Sequence, residues 1–264
     1  MYSRLRSFFV AVAVTALFTL PLSVRASLGT NFSDQWWNPA ESGWGAAILQ
    51  QYDTLFVEIF VYGLDGRPTW YTAAAYLQSQ SGRTVFSGDL YATTGPWFGG
   101  FFNPVAVDAQ RVGTLQFDAA STDFATLTYS VNGVVVTKPV QRQLWTYEDF
   151  TGSYYGGLVY NQSACANPAN NGHVEELGPF QIDHPVNNTF TLNLQSNFGN
   201  CTVVGNYSQL GHMGSVDANY SCSYGISGTM TLYELERTSA GMTGRFVAQN
   251  NACALSGTLG GVER

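Results

Sequence analysis

The chain has 264 residues, of which 45% are hydrophobic and only 11% are charged, and its formal net charge is −7. This composition provides enough apolar residues for a packed core. The negative charge excludes proteins that bind nucleic acid or anionic lipid headgroups mainly through basic residues, because an acidic surface repels phosphate groups.

The first 26 residues have the pattern of a secretory signal peptide. Arg4 and Arg6 precede an apolar run over residues 8–22, and Val-Arg-Ala follows at 24–26. The run is short for a membrane span, and no other stretch is long enough to cross a bilayer. We therefore predict cleavage after Ala26, a secreted, periplasmic or cell-envelope protein, and no membrane span in the mature chain. An uncleaved N-terminal anchor is the alternative. Cleavage leaves 8 basic and 18 acidic residues, a net charge of −10.

The distribution of three residue types divides the mature chain into two parts. All six tryptophans precede residue 147, whereas all four cysteines and all three histidines follow it. We therefore predict two domains, residues 27–146 and residues 147–264. A single continuous sandwich is the alternative, since all-β domains of this total length occur.

The first domain has the pattern of a series of antiparallel strands. Runs rich in β-branched and aromatic residues alternate with turn residues, and Asn132-Gly133 is the strongest hairpin signal in the chain. Residues 92–104 form a loop rich in glycine and proline, and no useful window has a helical period. The predicted strands are 43–50, 54–62, 69–76, 84–91, 112–117, 125–131, 134–138 and 140–145. They favour an up-and-down β-barrel or a sandwich.

The predicted strand over residues 54–62 alternates between two apolar faces. One face is aliphatic, and the other is aromatic with a single carboxylate, Glu58. Because neither face is polar, we expect both to be covered. We also expect Trp36, Trp44 and Trp70 to close the ends of the barrel.

The second domain repeats this organisation with different residues. Its turns include Asn187-Asn188 and Gly211-His212. Eight short strands at regular spacing favour a closed meander, because closure removes exposed strand edges. The predicted strands are 152–160, 174–183, 190–195, 201–209, 215–222, 228–236, 244–249 and 253–262.

The four cysteines of the second domain allow three pairings. With a symmetric two-residue turn at Gly211-His212, Cys201 lies directly opposite Cys222 on the neighbouring strand, at a separation that suits a disulfide. We therefore predict a Cys201–Cys222 bond, which leaves Cys165 to bond Cys253. The second bond joins the first strand of the domain to the last, and these are neighbours only if the barrel closes.

Five segments of the first domain form a specific pattern: WWNPAESGWG, QQYDTLF, FVYGLDGRPTWY, TLTYSVNGVVV and VQRQLW. With this pattern the chain, roughly over residues 34–145, resembles a repeat domain of secreted and surface proteins of proteobacteria. It departs from the family at Tyr52, where glycine is more frequent, and at Gly63, where an acidic residue is common. The resemblance implies an all-β fold and residence in the envelope or outside the cell, and it implies no particular reaction.

Each domain also begins with an aromatic and glycine-containing strand and ends near an arginine. The aromatic–arginine pairs are Trp44 with Arg142 and Tyr155 with Arg264. This arrangement resembles the barrel-end packing of lipocalins and avidins, which implies a barrel in both domains.

The residues that common hydrolases and metal sites require are absent or scattered. His173, His184 and His212 all lie at or near predicted turns of the second domain, and there is no Gly-x-Ser-x-Gly motif. No histidine has a recognised ligand spacing, so we interpret His173, Glu175 and Glu176 as solvated turn residues and predict no metal. No phosphate-binding loop is present either, and no cofactor is predicted.

A glycoside hydrolase needs two carboxylates across a cleft. Asp34, Glu41, Glu58 and Asp89 are the carboxylates nearest to the aromatic residues. The structural alternative for Glu58 is an ion pair with one of three arginines: Arg67, Arg83 or Arg142. A hydrolase that uses such a carboxylate is the least favoured function, and no catalytic residue is predicted.

Large aromatic residues are more numerous in the first domain than one small barrel core absorbs. Those at 97–102 lie on a glycine-containing loop, where exposed rings can stack on sugars or receive apolar ligands. We therefore predict a binding module for a glycan or a small apolar ligand, of unassigned oligomeric state. The alternative is a structural or adhesive surface protein that acts through a protein or polymer partner. The candidate ligand-binding residues are Trp97, Phe98, Trp70, Tyr71, Trp44 and Glu58.

Overall fold

The computed structural model describes residues 29–80, 83–185 and 189–264. Within these ranges the chain forms two closed antiparallel barrels of eight strands each, which residues 143–151 connect. The predicted fold class of two tandem all-β barrels is confirmed. The predicted signal peptide and the Asn187-Asn188 turn lie outside the described residues.

Both barrels have the simplest topology, in which each strand pairs with the next and the last strand returns to the first. The first barrel contains β1 Asp34–Trp37, β2 Gly45–Gln51, β3 Thr54–Tyr62, β4 Pro68–Gln80, β5 Arg83–Thr94, β6 Asp108–Ala119, β7 Phe124–Val131 and β8 Val134–Arg142. The second contains β9 Gly152–Ser163, β10 Gly172–Asp183, β11 Thr189–Ser196, β12 Gly199–Leu210, β13 Met213–Cys222, β14 Ser227–Thr238, β15 Gly241–Asn250 and β16 Ala254–Glu263. Two 3₁₀ turns, Pro104–Ala106 and Pro168–Asn170, lie in the β5–β6 and β9–β10 loops. Among the described residues no helix is long and apolar enough to cross a membrane.

The first barrel closes through a short seam, because β1 and β8 share only two residue pairs. The sequence did not predict β1, and it divided β8 into two strands at Pro139. The proline does not interrupt β8. It pairs with Thr126 of β7 on one side, and on the other side it lies beyond the last pair with β1, where no ladder hydrogen bond requires an N–H group.

Side chains fill the interior of the first barrel. Trp36 is fully buried and packs edge to face against Phe117, with ring centroids 4.9 Å apart. Trp44 and Tyr71 are partly buried and pack against the same core. Trp36 and Trp44 therefore pack against the core, whereas Trp70 is 48% exposed, so the prediction that Trp70 closes an end of the barrel is wrong. Trp70 lies in the outward phase of β4, opposite Phe60 of β3.

The aromatic face of β3 is also exposed to solvent. Phe56, Phe60 and Tyr62 are 47%, 40% and 60% exposed, whereas Leu55, Val57 and Ile59 in the other phase are fully buried. The expectation that both faces are covered is therefore wrong. In a closed barrel with no outer layer, only one of the two side-chain phases of a strand can lie inside.

The second barrel closes through a long seam, with ten residue pairs between β9 and β16. The predicted register of β12 and β13 is confirmed, with Cys201 opposite Cys222. Both predicted disulfides are present, Cys201–Cys222 and Cys165–Cys253. The latter joins the end of β9 to the start of β16, as closure requires.

The two barrels begin with the same local arrangement. In the first, the indole N–H of Trp36 donates to the carbonyl oxygen of Phe32 at 3.0 Å. In the second, the hydroxyl of Tyr154 donates to the carbonyl oxygen of Phe150 at 2.9 Å. All four side chains are buried. In each barrel an aromatic residue that precedes the first strand is thus held inside by a ring four residues later.

The arginines predicted to pack on aromatic rings do so, but one ring differs. Arg264 lies over the ring of Tyr155 at 4.6 Å, as predicted. Arg142 lies over Trp36 at 5.0 Å, so its predicted pairing with Trp44 is wrong. Trp44 precedes β2 and lies at the opposite end of the barrel from the last residue of β8, and its indole N–H donates to Glu41 at 3.1 Å.

A buried polar cluster connects the two barrels. Arg142 is completely buried, and its guanidinium donates to the carbonyl oxygens of Asn31, Ser33 and Thr122 and to the carboxylate of Asp34. These acceptors compensate for the loss of water around the charge. Asp34 also accepts hydrogen bonds from the backbone N–H and ring Nδ1 of His212, on the β12–β13 turn of the second barrel, at 3.1 and 2.8 Å.

A bulge in β14 adds a second connection between the barrels. The register shifts between Tyr233 and Glu236, and Glu234 between them has a φ of 52°, in the left-handed region. The bulge directs the buried Glu234 carboxylate towards the first barrel, where it accepts hydrogen bonds from the hydroxyls of Thr30 and Thr122. The strained backbone at Glu234 is therefore coupled to the docking of the barrels.

His212 should make the stability of this junction depend on pH. Its ring Nδ1 faces Asp34 and its Nε2 faces Glu236 at 3.2 Å, and these hydrogen bonds raise the pKa of His212 to about 9, above the ordinary value of 6.5. A pKa that is higher in the folded state gives stabilisation that is complete below about pH 6.5 and is lost as the pH rises through 9.

We expect wild-type protein to lose on the order of 1–2 kcal/mol of unfolding free energy between pH 6.5 and 9.5 that a His212→Gln variant does not lose, after allowance for the partly exposed ring. Urea unfolding at the two pH values measures this difference. His173→Gln, which alters an exposed histidine of the same barrel, is the control and should behave like wild type. Equal pH dependence in wild type and His212→Gln would contradict the assignment.

Candidate functional site

The second barrel contains a cavity of about 480 Å³. Its wall is largely aliphatic, and the cavity opens at the end of the barrel that carries both disulfides. The residues of the aliphatic wall include Leu192, Leu194, Val203, Met230, Leu232 and Leu259. A volume of this size lies in the usual range for small-molecule sites in proteins.

Aromatic rings form the floor of the barrel at its other end. Phe150 is fully buried and packs edge to face against Phe190 and Tyr207, with ring centroids 6.4 and 5.9 Å apart. Tyr154 stacks on Phe180 at 5.1 Å. Five large rings therefore pack together at the floor. In the upper half the wall consists mainly of aliphatic side chains, together with Tyr160, Tyr220 and Tyr224, and these side chains leave the centre of the barrel unfilled.

The disulfides hold the mouth of the cavity. Cys201 and Cys222 line it directly, and their bond ties β12 to β13 at the rim. The Cys165–Cys253 bond ties β9 to β16 at the same end. Both bonds restrict the motion of the strands at the rim of the barrel. Because the mouth is already ordered, binding of a ligand there costs less conformational free energy.

Glu176 is the charged side chain inside this cavity. It is only 6% exposed, and its carboxylate accepts a hydrogen bond from the Tyr160 hydroxyl at 2.6 Å and another from the Ser196 hydroxyl at 3.1 Å. Burial, together with the hydrogen bond to Glu176, raises the pKa of Tyr160, so this hydroxyl stays protonated and remains a donor. Glu176 is thus held in one place by two neutral donors.

Other polar groups of the wall are engaged with one another. The side-chain amide of Asn250 donates to the hydroxyl of Tyr220 at 2.9 Å. The hydroxyl of Tyr224 lies 3.5 Å from the sulfur of Cys201, and burial followed by the charge of Glu176 raises the pKa of Tyr224 to about 12. Glu176 is the one carboxylate among the residues that line the cavity, and no lysine, arginine or histidine lies among them.

A second hollow, of about 720 Å³, is an open cleft on the outside of the second barrel beside the junction. Its charged residues already pair with one another or with the junction. Arg245 lies 3.6 Å from Glu234, and Glu236 contacts His212. Each charged side chain that lines this cleft therefore already has an oppositely charged or histidine neighbour.

The histidines contribute no metal site in the part of the chain that the structure covers. No group of three or more His, Cys, Asp or Glu side chains could hold a metal ion there. His173 is exposed beside Glu175, and His212 belongs to the junction. His184 packs edge to face against Tyr207 at the floor, where burial lowers its pKa.

The structure does not bring the candidate residues of the first barrel together in one site. Trp97 and Phe98 are 71% and 93% exposed on the loop formed by residues 95–107. Trp70 and Glu58 lie on the outer wall, whereas Trp44 and Tyr71 face the core. The arginines that the sequence offered to Glu58 pair with other carboxylates: Arg67 with Asp65, Arg83 with Asp118, and Arg142 with Asp34 and Asp123.

Sequence reasoning missed the cavity and misplaced Glu176. Glu176 is a buried wall residue, and its interpretation as a solvated turn residue is wrong. The signal was the alternation along β10, where Val174, Gly178, Phe180 and Ile182 share the inward phase with Glu176. A carboxylate in phase with apolar residues of a barrel strand has to lie inside.

Comparison of this chain with protein-family models and with curated proteins found no match. The resemblance of the first barrel to domains of proteobacterial surface proteins therefore stays a prediction. Any functional conclusion has to come from the geometry of the two barrels.

Proposed function

We propose that the protein is a non-enzymatic binding module whose second barrel takes up a small, largely apolar molecule. The observation that carries this proposal is the largely aliphatic cavity of about 480 Å³, with a mouth bordered by a disulfide. Transfer of apolar surface from water into such a cavity is favourable by about 25 cal/mol per Å². A rigid wall keeps the cost of ordering the site low.

The proposed place of action is the periplasm or the outside of the cell. Two disulfides are compatible with an oxidising compartment, and the N-terminal sequence pattern is that of a secretory signal. A module of this kind would carry or sense its ligand outside the cytoplasm.

The proposal is tested by filling the cavity. Leu158 lies on β9 and lines the cavity, opposite Glu176. We expect Leu158→Trp to occupy the volume that a ligand needs and to reduce binding of the neutral fluorescent probe N-phenyl-1-naphthylamine at least 10-fold. Fluorescence titration of wild type and variant measures the change.

The control is Leu177→Trp, the same substitution on the outward face of β10, where Leu177 is 53% exposed. It should leave probe binding unchanged, and thermal unfolding shows whether each variant is folded. Undetectable binding of the probe to wild type, or equal binding to wild type and Leu158→Trp, would contradict a site inside the second barrel.

A second candidate function is supported by the β5–β6 loop of the first barrel. Phe98, Phe101 and Val105 are 93%, 92% and 88% exposed, and Trp97 contacts Phe98 at a ring-centroid distance of 5.7 Å. Monomeric proteins seldom expose apolar side chains in such density without a partner. Flat exposed rings suit stacking on the apolar faces of sugars, so we propose a glycan as the partner of this loop.

We expect the Trp97→Ala, Phe98→Ala double variant to lose wild-type glycan-array signals by at least 10-fold while its probe binding stays unchanged. Loss of both rings should not affect folding, because both are exposed. A wild-type array without signals would count against a glycan. Co-sedimentation of wild-type protein with envelope fractions, measured separately, would then favour the structural or adhesive alternative.

A further inference from the structure

The cavity of the second barrel contains one carboxylate and no cationic side chain. Among its lining residues there is no lysine, arginine or histidine. Glu176 is held by the hydroxyls of Tyr160 and Ser196, so both of its oxygens are oriented but its charge is not balanced by a side chain of the wall. A buried carboxylate without a cation nearby is costly for a protein to maintain.

The hydrogen-bonding capacity of Glu176 defines what it can still bind. A carboxylate has about four acceptor sites and no donor, and two of these sites are used. A ligand group that occupies the remaining acceptor sites of Glu176 must therefore be a hydrogen-bond donor. If that donor is a cation, it also balances the negative charge of the carboxylate. Hydrogen bonds to an ionised group are stronger than those between neutral groups. A ligand with a carboxylate of its own would be repelled.

The surroundings favour a cation as well. Tyr160, Tyr220 and Tyr224 line the same cavity, and the faces of aromatic rings attract cations. The excess of acidic over basic residues in the whole chain, 18 against 11, raises the local concentration of cations near the protein. Below Glu176 the wall is aliphatic, which suits an apolar body rather than a second charge.

We propose that Glu176 is the polar anchor of the cavity and that the ligand class is a lipophilic amine, with a protonated amino group at the carboxylate and an apolar body in the aliphatic part. This inference rests on the proposed function of the second barrel. It adds the chemical class of the ligand and the residue that selects it.

The test compares three probes of equal chain length by isothermal titration calorimetry at pH 7: decylamine, decanol and decanoate. Each probe is used at a concentration at which it is dissolved as a monomer. Wild-type protein should bind decylamine roughly 10-fold to 100-fold more tightly than decanol, as expected for a hydrogen bond to a charged group. It should bind decanoate least. In Glu176→Gln the advantage of decylamine over decanol should fall to less than about 3-fold, while decanol binding is retained.

The matched control is Glu175→Gln. Glu175 is the neighbouring carboxylate on the outward face of β10, and more than half of its side chain is exposed. Its substitution should leave the preference for the amine unchanged. Thermal unfolding verifies that both variants are folded, and the wild-type preference among the three probes tests the inference even if Glu176→Gln does not fold.

The possible results separate the two proposals. If none of the probes binds, the proposed function of the second barrel fails. If decanol and decylamine bind equally to wild type, or if Glu176→Gln keeps the full preference for the amine, the ligand class is wrong while the cavity remains a binding site. Tighter binding of decanoate would also overturn the assignment of a cationic ligand.

Discussion

The closed seam between β9 and β16 is the constraint on which the rest of the second barrel depends. Once first and last strands pair along ten residues, each strand must place one phase of its side chains inside and the other outside. On β10 this rule brings Glu176 inside and leaves Glu175 in water. A register slip by one residue would exchange the two carboxylates and remove the charge from the cavity.

The two barrels have the same topology but differ in how their interiors are filled. The first contains Trp36, Phe32, Phe86 and Phe117 in one aromatic cluster, and no tryptophan is present in the second. In the second barrel, five rings pack at the floor, and the cavity above them is lined mainly by aliphatic side chains together with Tyr160, Tyr220 and Tyr224. The capacity to bind a small molecule therefore follows from the distribution of side-chain volume along the barrel axis. The first barrel instead displays its surplus rings on the surface, at Phe60, Trp70 and the loop of residues 95–107.

Local patterns in the sequence were sufficient to predict most strands and both disulfides. Strands and disulfides alike depend on the alternation of side chains along a strand and on the turns between adjacent strands. They did not reveal which phase of a strand lies inside where both phases are apolar, as at Trp70 and Phe60. They also did not place Glu176, because a charged residue after His173 resembles a solvated turn. The junction could not be predicted either, since Asp34 and His212 are 178 positions apart and no local signal specifies their contact.

The most direct test of this account is a methyl-resolved nuclear magnetic resonance experiment with decylamine. We expect intermolecular Overhauser contacts between the alkyl chain and the methyl groups of Leu192, Met230 and Leu232, together with a shift of the Glu176 carboxyl carbon on binding. Such contacts would place the ligand inside the second barrel with its amino group at the carboxylate. Contacts confined to residues 95–107, or to the outer wall of either barrel, would contradict the central claim.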